Sequence, residues 1–236
     1  MLIDHTNVRV LDVLESREKT AVLAYLQEHK KDLFAELAEV TTDMWDGYVS
    51  AVREVFGEKV AITVDRFHVM KNLQEQLSHA RRELQRTLSK EEAAELKGSR
   101  WLWLKNPENL SVDERAKLEQ LKKRFPKLRQ LADQREALRW IFDDPKINDA
   151  AEGKKRLRGW MEKAAQLGLA ALNKFCKTLE NWLDLIANYF ISRSSNGRTE
   201  GFNHGLRSIL WRAFGMRSFK HFRLRVLDRF GIPARH

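Results

Sequence analysis

The chain has one cysteine, Cys176, so it can close no disulfide of its own, and a reducing cytoplasm is the expected compartment. No apolar run approaches the roughly 20 residues that a membrane-spanning helix needs. Met1-Leu2-Ile3-Asp4-His5 lacks the pattern of a secretory signal. A soluble protein without a membrane partner is therefore expected. There is no convincing internal repeat or low-complexity tract, which argues against solenoid and array architectures. Strand-like patterning vanishes after Arg66. Acidic residues are nearly missing from the last segment: from Arg193 to His236, ten arginines and lysines stand against Glu200 and Asp228, a local net charge of +8.

What is present is enough to fold. A length of 236 residues with 43% hydrophobic content suits one large domain, or a domain carrying an insertion. The whole chain has a formal net charge of +10, so most of the excess lies in that last segment. A localised basic patch attracts polyanions, and phosphate backbones are the commonest target because each neutralised phosphate releases a counterion. A solvated basic helix face is the plainer reading of the same charges.

Taken in order, Val8-Arg9-Val10-Leu11-Asp12-Val13-Leu14 is β-branched and largely apolar, which predicts a strand interior to a sheet. Only Met1 to Ile3 precede the turn-like Asp4-His5-Thr6-Asn7. Ser16 is placed to cap a helix whose apolar positions are Val22, Leu23, Leu26, Leu33 and Leu37, with a wholly polar stretch from Gln27 to Asp32. Glu39-Val40-Thr41-Thr42 predicts a short strand. Trp45, Tyr48, Val49, Val52 and Phe56 set the next helix, closed by Gly57. Val60-Ala61-Ile62-Thr63-Val64 is the clearest strand, a continuous apolar run that predicts burial on both faces and a parallel neighbour. The first third is thus α/β. A long all-helical block follows, with Val69, Leu73 and Leu77 on its first helix, a capping box at Ser111-Val112-Asp113-Glu114, and Pro126 at a helix start. The tryptophans at 101, 103, 140, 160 and 182 mostly fall at core spacing and are expected inside.

Functional groups in α/β sheets collect at the carboxyl ends of strands, where Asp43 and Asp65 are expected. Each also precedes a helix, so an N-cap is the structural alternative. Near the C-terminus, a helix from about Arg198 carries Phe202, Leu206, Ile209 and Ala213 on one face and Glu200, Asn203, His204 and Arg207 on the other. Glu200 then begins a polar face that looks like a site wall. A carboxylate in a first helical turn is the alternative, a favourable placement of at most about 1 kcal/mol. Three carboxylates from separate elements could hold two Mg²⁺ ions for in-line displacement at a phosphodiester, since Mg²⁺ takes few protein oxygens and keeps several waters.

Thr41-Thr42-Asp43-Met44-Trp45 with Tyr48, Val64-Asp65-Arg66-Phe67-His68-Val69, and Ser195-Asn196-Gly197-Arg198-Thr199-Glu200-Gly201-Phe202-Asn203 with Arg212-Ala213-Phe214-Gly215 closely resemble bacterial insertion-sequence transposases of the ISL-three type. The resemblance covers nearly the whole chain. It implies an RNase H-like DDE catalytic core, here incomplete and mostly helical overall, with a large all-α insertion: residues 1–69 as the N-terminal part of the core, 70–190 as the insertion, and 191–236 as the catalytic helix and a basic DNA-contacting segment. It implies DNA transposition with Mg²⁺ or Mn²⁺ as cofactor, Asp43 as the second acid and Glu200 as the third, both metal ligands. Asp65 and His68 match a separate Asp-x-x-His motif. Asp65 as a helix cap, and His68 as a packed or a DNA-contacting residue, stay open beside a functional role, and Asn203 is a further accessory candidate. Arg198, Arg207, Arg212, Arg217, Lys220, Arg223 and Arg225 are the expected DNA contacts. Expected partners are DNA, as transposon ends and target, together with a second copy or a full-length transposase, in a nucleoid-associated setting.

The pattern's first Asp belongs upstream of this sequence. Asp4 fits the turn after the second strand and Asp12 the third strand, so neither falls where that acid should. The chain therefore reads as an N-terminally truncated transposase, inactive alone. A catalytically silent DNA-binding or interaction protein derived from a transposase is the alternative. A nuclease of the same fold fits the motif order less well.

Overall fold

The computed structural model describes residues 1–194, 197–213 and 218–231, with residues 198–200 described in backbone alone. The chain forms two compact units: Met1–Asp65 together with the segment from Ser194 onward, and Arg66–Arg193. The described residues are mostly helical. None of their helices is long and apolar enough to cross a membrane.

In the unit built from the two chain ends, β1 (Leu2–Asp4) pairs antiparallel with β2 (Arg9–Asp12). The Asp4 carboxylate closes the turn by accepting from the Asn7 backbone and side-chain amides at 2.9 and 2.7 Å and from Arg9 Nε at 3.0 Å. This closure draws Val8 into a left-handed backbone (φ 53°), a strained state for a β-branched residue. The strand therefore starts one residue later than expected. It also belongs to a two-stranded sheet rather than to a sheet interior, with β1 as its partner among the described residues.

Helix α1 (Lys19–Glu28) is capped by the backbone at Glu18 and not by Ser16, whose hydroxyl accepts the Glu18 amide in the preceding turn. It stops within the polar stretch, where no apolar side chain is available to extend its buried stripe. Leu33 is exposed, and Phe34 is buried instead, edge-on to Tyr25 and Phe56. Then come β3 (Glu39–Thr42), α2 (Asp46–Phe56) and β4 (Ala61–Val64). Gly57, at φ 65°, ends α2 in a conformation that disfavours any side chain. Strands β3 and β4 pair in parallel, as the apolar run predicts, with Thr42 opposite Val64.

The helical unit runs α3 (Arg66–Thr87), α4 (Lys90–Leu96), α5 (Arg100–Leu104), α6 (Val112–Arg124), α7 (Pro126–Asp143), α8 (Ala150–Gln166), α9 (Ala170–Asn181), α10 (Leu183–Ala187) and α11 (Tyr189–Ser192). Capping boxes at Ser89 and Ser111 open α4 and α6, Pro126 opens α7, and Asp149 caps α8. Helix α3 packs on α7 and α9. Val69, Leu73, Leu77, Leu138, Leu157, Leu172 and Phe175 are all nearly inaccessible. Gly153 lies against the ring of Phe190, where an added Cβ would stand 2.2 Å from a ring carbon. The tryptophans divide. Trp103 and Trp160 are buried, donating to Ser99 Oγ at 3.2 Å and to the Gln134 carbonyl at 3.0 Å, whereas Trp101 and Trp140 are 62% and 65% exposed. The exposed pair follow Arg100 and Arg139, whose guanidinium groups lie over the indole rings at 4.9 and 5.3 Å. These two correct the expectation of core positions, because helical spacing does not distinguish an apolar stripe from its edge.

The chain then rejoins the first unit with α12 (Gly197–Arg212) and α13 (Phe219–Phe230). Phe202, Leu206 and Ile209 of α12 pack with Val226 and Phe230 of α13 around Val10 and Val13. This is the apolar face read from the sequence.

Candidate active site

The parallel pairing of β3 and β4 determines where two of the sequence-marked acids stand. Thr42 and Val64 are opposite each other, so Asp43 and Asp65 follow side by side on adjacent strands, at the carboxyl end of the sheet. The Asp65 amide donates to the Thr42 carbonyl at 3.0 Å, extending the ladder by one step. Asp65 is fully buried. Asp43 is half-buried, and its Oδ1 is shielded from solvent without a hydrogen-bond partner among the described residues. Burying such an oxygen costs free energy unless something is brought to it.

An N-cap role does not account for Asp43. Helix α2 opens at Asp46 with Trp45 at its cap position, and the Trp45 amide donates to the Asp43 carbonyl at 2.9 Å. Trp45 and Tyr48 meet edge to face at 4.3 Å, and Arg17 lies 5.2 Å over the indole. Burial, aided by the charge of Asp43 and opposed by Arg17, raises the Tyr48 phenol above its ordinary pKa. Gly47 is required here because the Trp45 ring occupies the place of its missing side chain: a Cβ would come within 2.2 Å of the indole. The aromatic wall beside Asp43 thus depends on the Trp45–Gly47–Tyr48 spacing.

Glu39, at the start of β3, is a residue the sequence reading missed. Thr63 Oγ1 donates to its Oε1 at 2.5 Å and Ser194 Oγ to its Oε2 at 2.8 Å, so this carboxylate ties the beginning of the C-terminal segment to the strand pair. A strand-initial glutamate carries no signal in one sequence that would distinguish it from a solvated one.

Glu200 lies in the first turn of α12, in the same unit as β3 and β4. Its side chain and that of Arg198 lie outside the described residues, as do Ser195, Asn196 and Arg217. Asn203 is half-buried, and His204 and Arg207 are exposed on the polar face of the helix. His68 stands in the first turn of α3, in the helical unit, half-buried and edge-on to Phe67 at 5.5 Å. Asp65 and His68 therefore lie on opposite sides of the unit boundary.

Of the expected DNA-contacting residues, Arg207, Arg212, Lys220 and Arg225 are exposed. Arg223 is engaged elsewhere. Its Nε and a terminal nitrogen donate to the two carboxylate oxygens of Asp12 at 2.5 and 2.7 Å, and Asp12 is 3% exposed. The guanidinium thereby closes α13 onto β2, with its side chain still 43% exposed. Burial pushes the Asp12 carboxyl upward, but hydrogen bonds from Arg223 and the Val13 amide, together with the Arg223 charge, hold it below its usual value. Burial, and then the charge of Asp12, push the Tyr25 phenol well above its usual range.

At the carboxyl end of β3, beside Asp65, the unpartnered Asp43 Oδ1 is a hard oxygen that suits a divalent cation of the Mg²⁺ type. Among the described residues, no group of three or more histidine, cysteine or acidic side chains gathers at metal-binding distance.

Residues 1–226 match the family model described as "Transposase", of the DDE class and ISL-three type, and the chain belongs to that family. It is similar to the transposase for insertion sequence element IS1001 of Bordetella parapertussis, at 26% identity over 240 residues, covering 100% of this chain and 58% of the relative. The transposase for insertion sequence element IS1557 of Mycobacterium tuberculosis is 24% identical over 241 residues, covering 92% of this chain and 53% of the relative. The chain thus spans a little over half the length of these curated relatives. No solved structure matches it.

Proposed function

We propose that the chain is the catalytic part of an insertion-sequence transposase, acting on DNA phosphodiesters at transposon ends and target. The observation that carries this reading is Asp43, at the end of β3 beside the parallel strand that ends in Asp65, with a buried oxygen lacking a partner among the described residues, in a chain of the transposase family. In this reading the β1–β2 hairpin, the β3–β4 pair, α12 and α13 belong to an RNase H-like core, with 1–69 and 191–236 contributing to it and 70–190 inserted between them. Asp43 and Glu200 hold Mg²⁺ or Mn²⁺. When bound, such ions activate the attacking oxygen and stabilise the leaving oxygen.

The chain's own residues have separate tasks. Asp43 supplies a carboxylate fixed by the strand end, and Trp45 and Tyr48 wall it from bulk water, which strengthens its attraction for a cation. Glu39 anchors Ser194 and with it the entry to α12. Asn203 and His204 extend the polar face beyond Glu200, and Arg198, Arg207, Arg212, Arg217, Lys220, Arg223 and Arg225 hold DNA phosphates without reading bases. Asp65 and His68 serve as accessory residues at the sheet edge and at the start of α3. The working assembly includes a second transposase copy on nucleoid DNA.

The test is Mn²⁺ binding and metal-dependent nicking of DNA by the protein and by Asp43→Asn and Glu200→Gln. Each variant is expected to lose metal affinity and any cleavage while retaining DNA binding. Metal-dependent cleavage that persists undiminished in Asp43→Asn would overturn the site. DNA binding that weakens steeply with salt, with neither metal binding nor product in the parent protein, would instead favour a silent DNA-binding protein.

A further inference from the structure

Two cavities in the helical unit contain arginines, and they differ in how the charge is used. The larger, about 520 Å³, is lined by Arg66, Asp143, Tyr189 and Arg193 among others. Its cations are committed: Arg66 pairs with Asp143, and Arg193 donates to the carbonyls of Phe142 and Asp144 at 2.7 Å and to that of Ile147.

The smaller, about 170 Å³, is lined by Glu75, Ser78, Arg81, Arg82 and Arg100. Ser78, Arg81 and Arg82 lie at i, i+3 and i+4 and so share one stripe of α3, and Arg100 comes from the first turn of α5. Ser78 and Arg81 are 7% and 9% exposed, and Ser78 Oγ and Arg81 Nε are buried donors without a partner among the described residues. The remaining contacts of these cations are to neutral groups. Arg81 donates to Gln85 Oε1 at 3.1 Å and to the Leu96 carbonyl at 3.0 Å, Arg82 donates to the Ser78 carbonyl at 3.4 Å, and Arg100 lies over Trp101. None of the three arginines has a carboxylate within 4.0 Å among the described residues, although Arg124, Arg135, Arg139, Arg156 and Arg158 of the same unit all do.

Three cations against the single carboxylate of Glu75, around two unanswered donors, are costly in isolation. Burial first, then the charges of Arg82 and Arg100, lower the Arg81 pKa, which expresses that cost. An oxyanion removes it: Arg81 Nε and Ser78 Oγ donate from the floor, and Arg82 and Arg100 close over the rim.

We propose that Ser78, Arg81, Arg82 and Arg100 form a phosphate-binding site in the helical unit, separate from the acids at the strand ends. The chemistry suits a DNA phosphodiester or the phosphate of a free nucleotide or ion, and the two sources are separable by experiment. Arg82 and Arg100 are exposed, so the double variant Arg82→Gln/Arg100→Gln is expected to keep the parent melting temperature. One arm measures affinity for a short DNA duplex across a salt series, and the other the thermal shift with inorganic phosphate and with a nucleoside monophosphate. If the source is DNA, the double variant binds duplex about tenfold more weakly, and its salt slope falls by about one to two. If the source is a free phosphate, the thermal shift disappears and duplex affinity is unchanged. The proposal is overturned if neither arm differs from the parent. Ser78→Ala is expected to move the same arm in the same direction by a smaller factor. Asp43→Asn is expected to move neither, which separates this site from the catalytic reading.

Discussion

The two units bury charge of opposite sign. Among the described residues, the unit formed by the chain ends buries Asp12 and Asp65, whereas the helical unit buries Arg81 and Arg135. Each unit neutralises one such charge internally, Asp12 with Arg223 and Arg135 with Glu136. Each also shields a charged side chain's atom that has no partner among the described residues, Asp43 Oδ1 in one and Arg81 Nε in the other. A carboxylate oxygen attracts a cation and a guanidinium attracts an anion. In the two readings proposed above the contrast becomes one of task, with a metal ion in one unit and a phosphate in the other.

The largest effect expected from perturbing this contrast is chemical. Where the parent cleaves DNA, Asp43→Asn is expected to reduce metal-dependent cleavage by about a thousandfold or more, because the several kcal/mol contributed by a bound ion depend on its ligands, and where it does not, the loss is read in Mn²⁺ affinity. Its melting temperature should equal or slightly exceed that of the parent, since the shielded, unpartnered Oδ1 is costly in the folded state. A variant that loses activity only in proportion to lost folded protein would make Asp43 a structural residue.

Leu138→Ala tests the other side of the comparison. Leu138 is fully buried in α7, and its truncation is expected to cost about 2–5 kcal/mol in denaturant unfolding. Amide exchange should rise across α3, α7 and α9 more than in β3 and β4. Uniform loss across both units would show that they unfold as one.

Arg223→Leu probes the internally neutralised acid. The cost is expected near 2 kcal/mol, between the values for buried and exposed pairs, because Asp12 is buried and the Arg223 side chain is 43% exposed. Its pH dependence is more diagnostic. In the parent, the Asp12 pKa lies below its unfolded value, so its contribution is present above the ordinary carboxylate range and is lost as pH falls through the depressed value. Without Arg223, burial still raises the value while the Val13 amide and the Tyr25 hydroxyl still lower it, so the depression shrinks and stability should fall less on acidification than in the parent. A parallel pair of stability–pH curves would sink this account. The smallest effect is expected at Trp140, where Trp140→Ala should change stability by no more than about 0.5 kcal/mol, as measured by thermal melting.

Periodicity made the helical unit legible. Val69, Leu73, Leu77, the Ser111 capping box and the start at Pro126 all follow rules local to one helix. The same rules put Trp101 and Trp140 inside, because a stripe's edge is set by what packs beside it in three dimensions. In the other unit, the alternation of strands and helices marked β3, β4 and the ends at Asp43 and Asp65. Glu39 and Arg223 were not readable in the same way, since each is defined by a partner far along the chain: Ser194 lies 155 residues from Glu39, and Asp12 lies 211 residues from Arg223. A single sequence records such pairs as two unrelated polar residues.

The long span of the Asp12–Arg223 pair also orders events during synthesis. Residues 1–65 leave the ribosome early, but α13, which covers β2 and neutralises Asp12, emerges only after the whole helical unit. The helical unit is continuous in sequence and can close its core on its own contacts, whereas the hairpin must wait with an uncompensated carboxylate and uncovered valines. In pulse-labelled refolding, amides of α3, α7 and α9 should become protected before those of β2. Of the two units, the helical one would thus be completed first and the acid-bearing one after it.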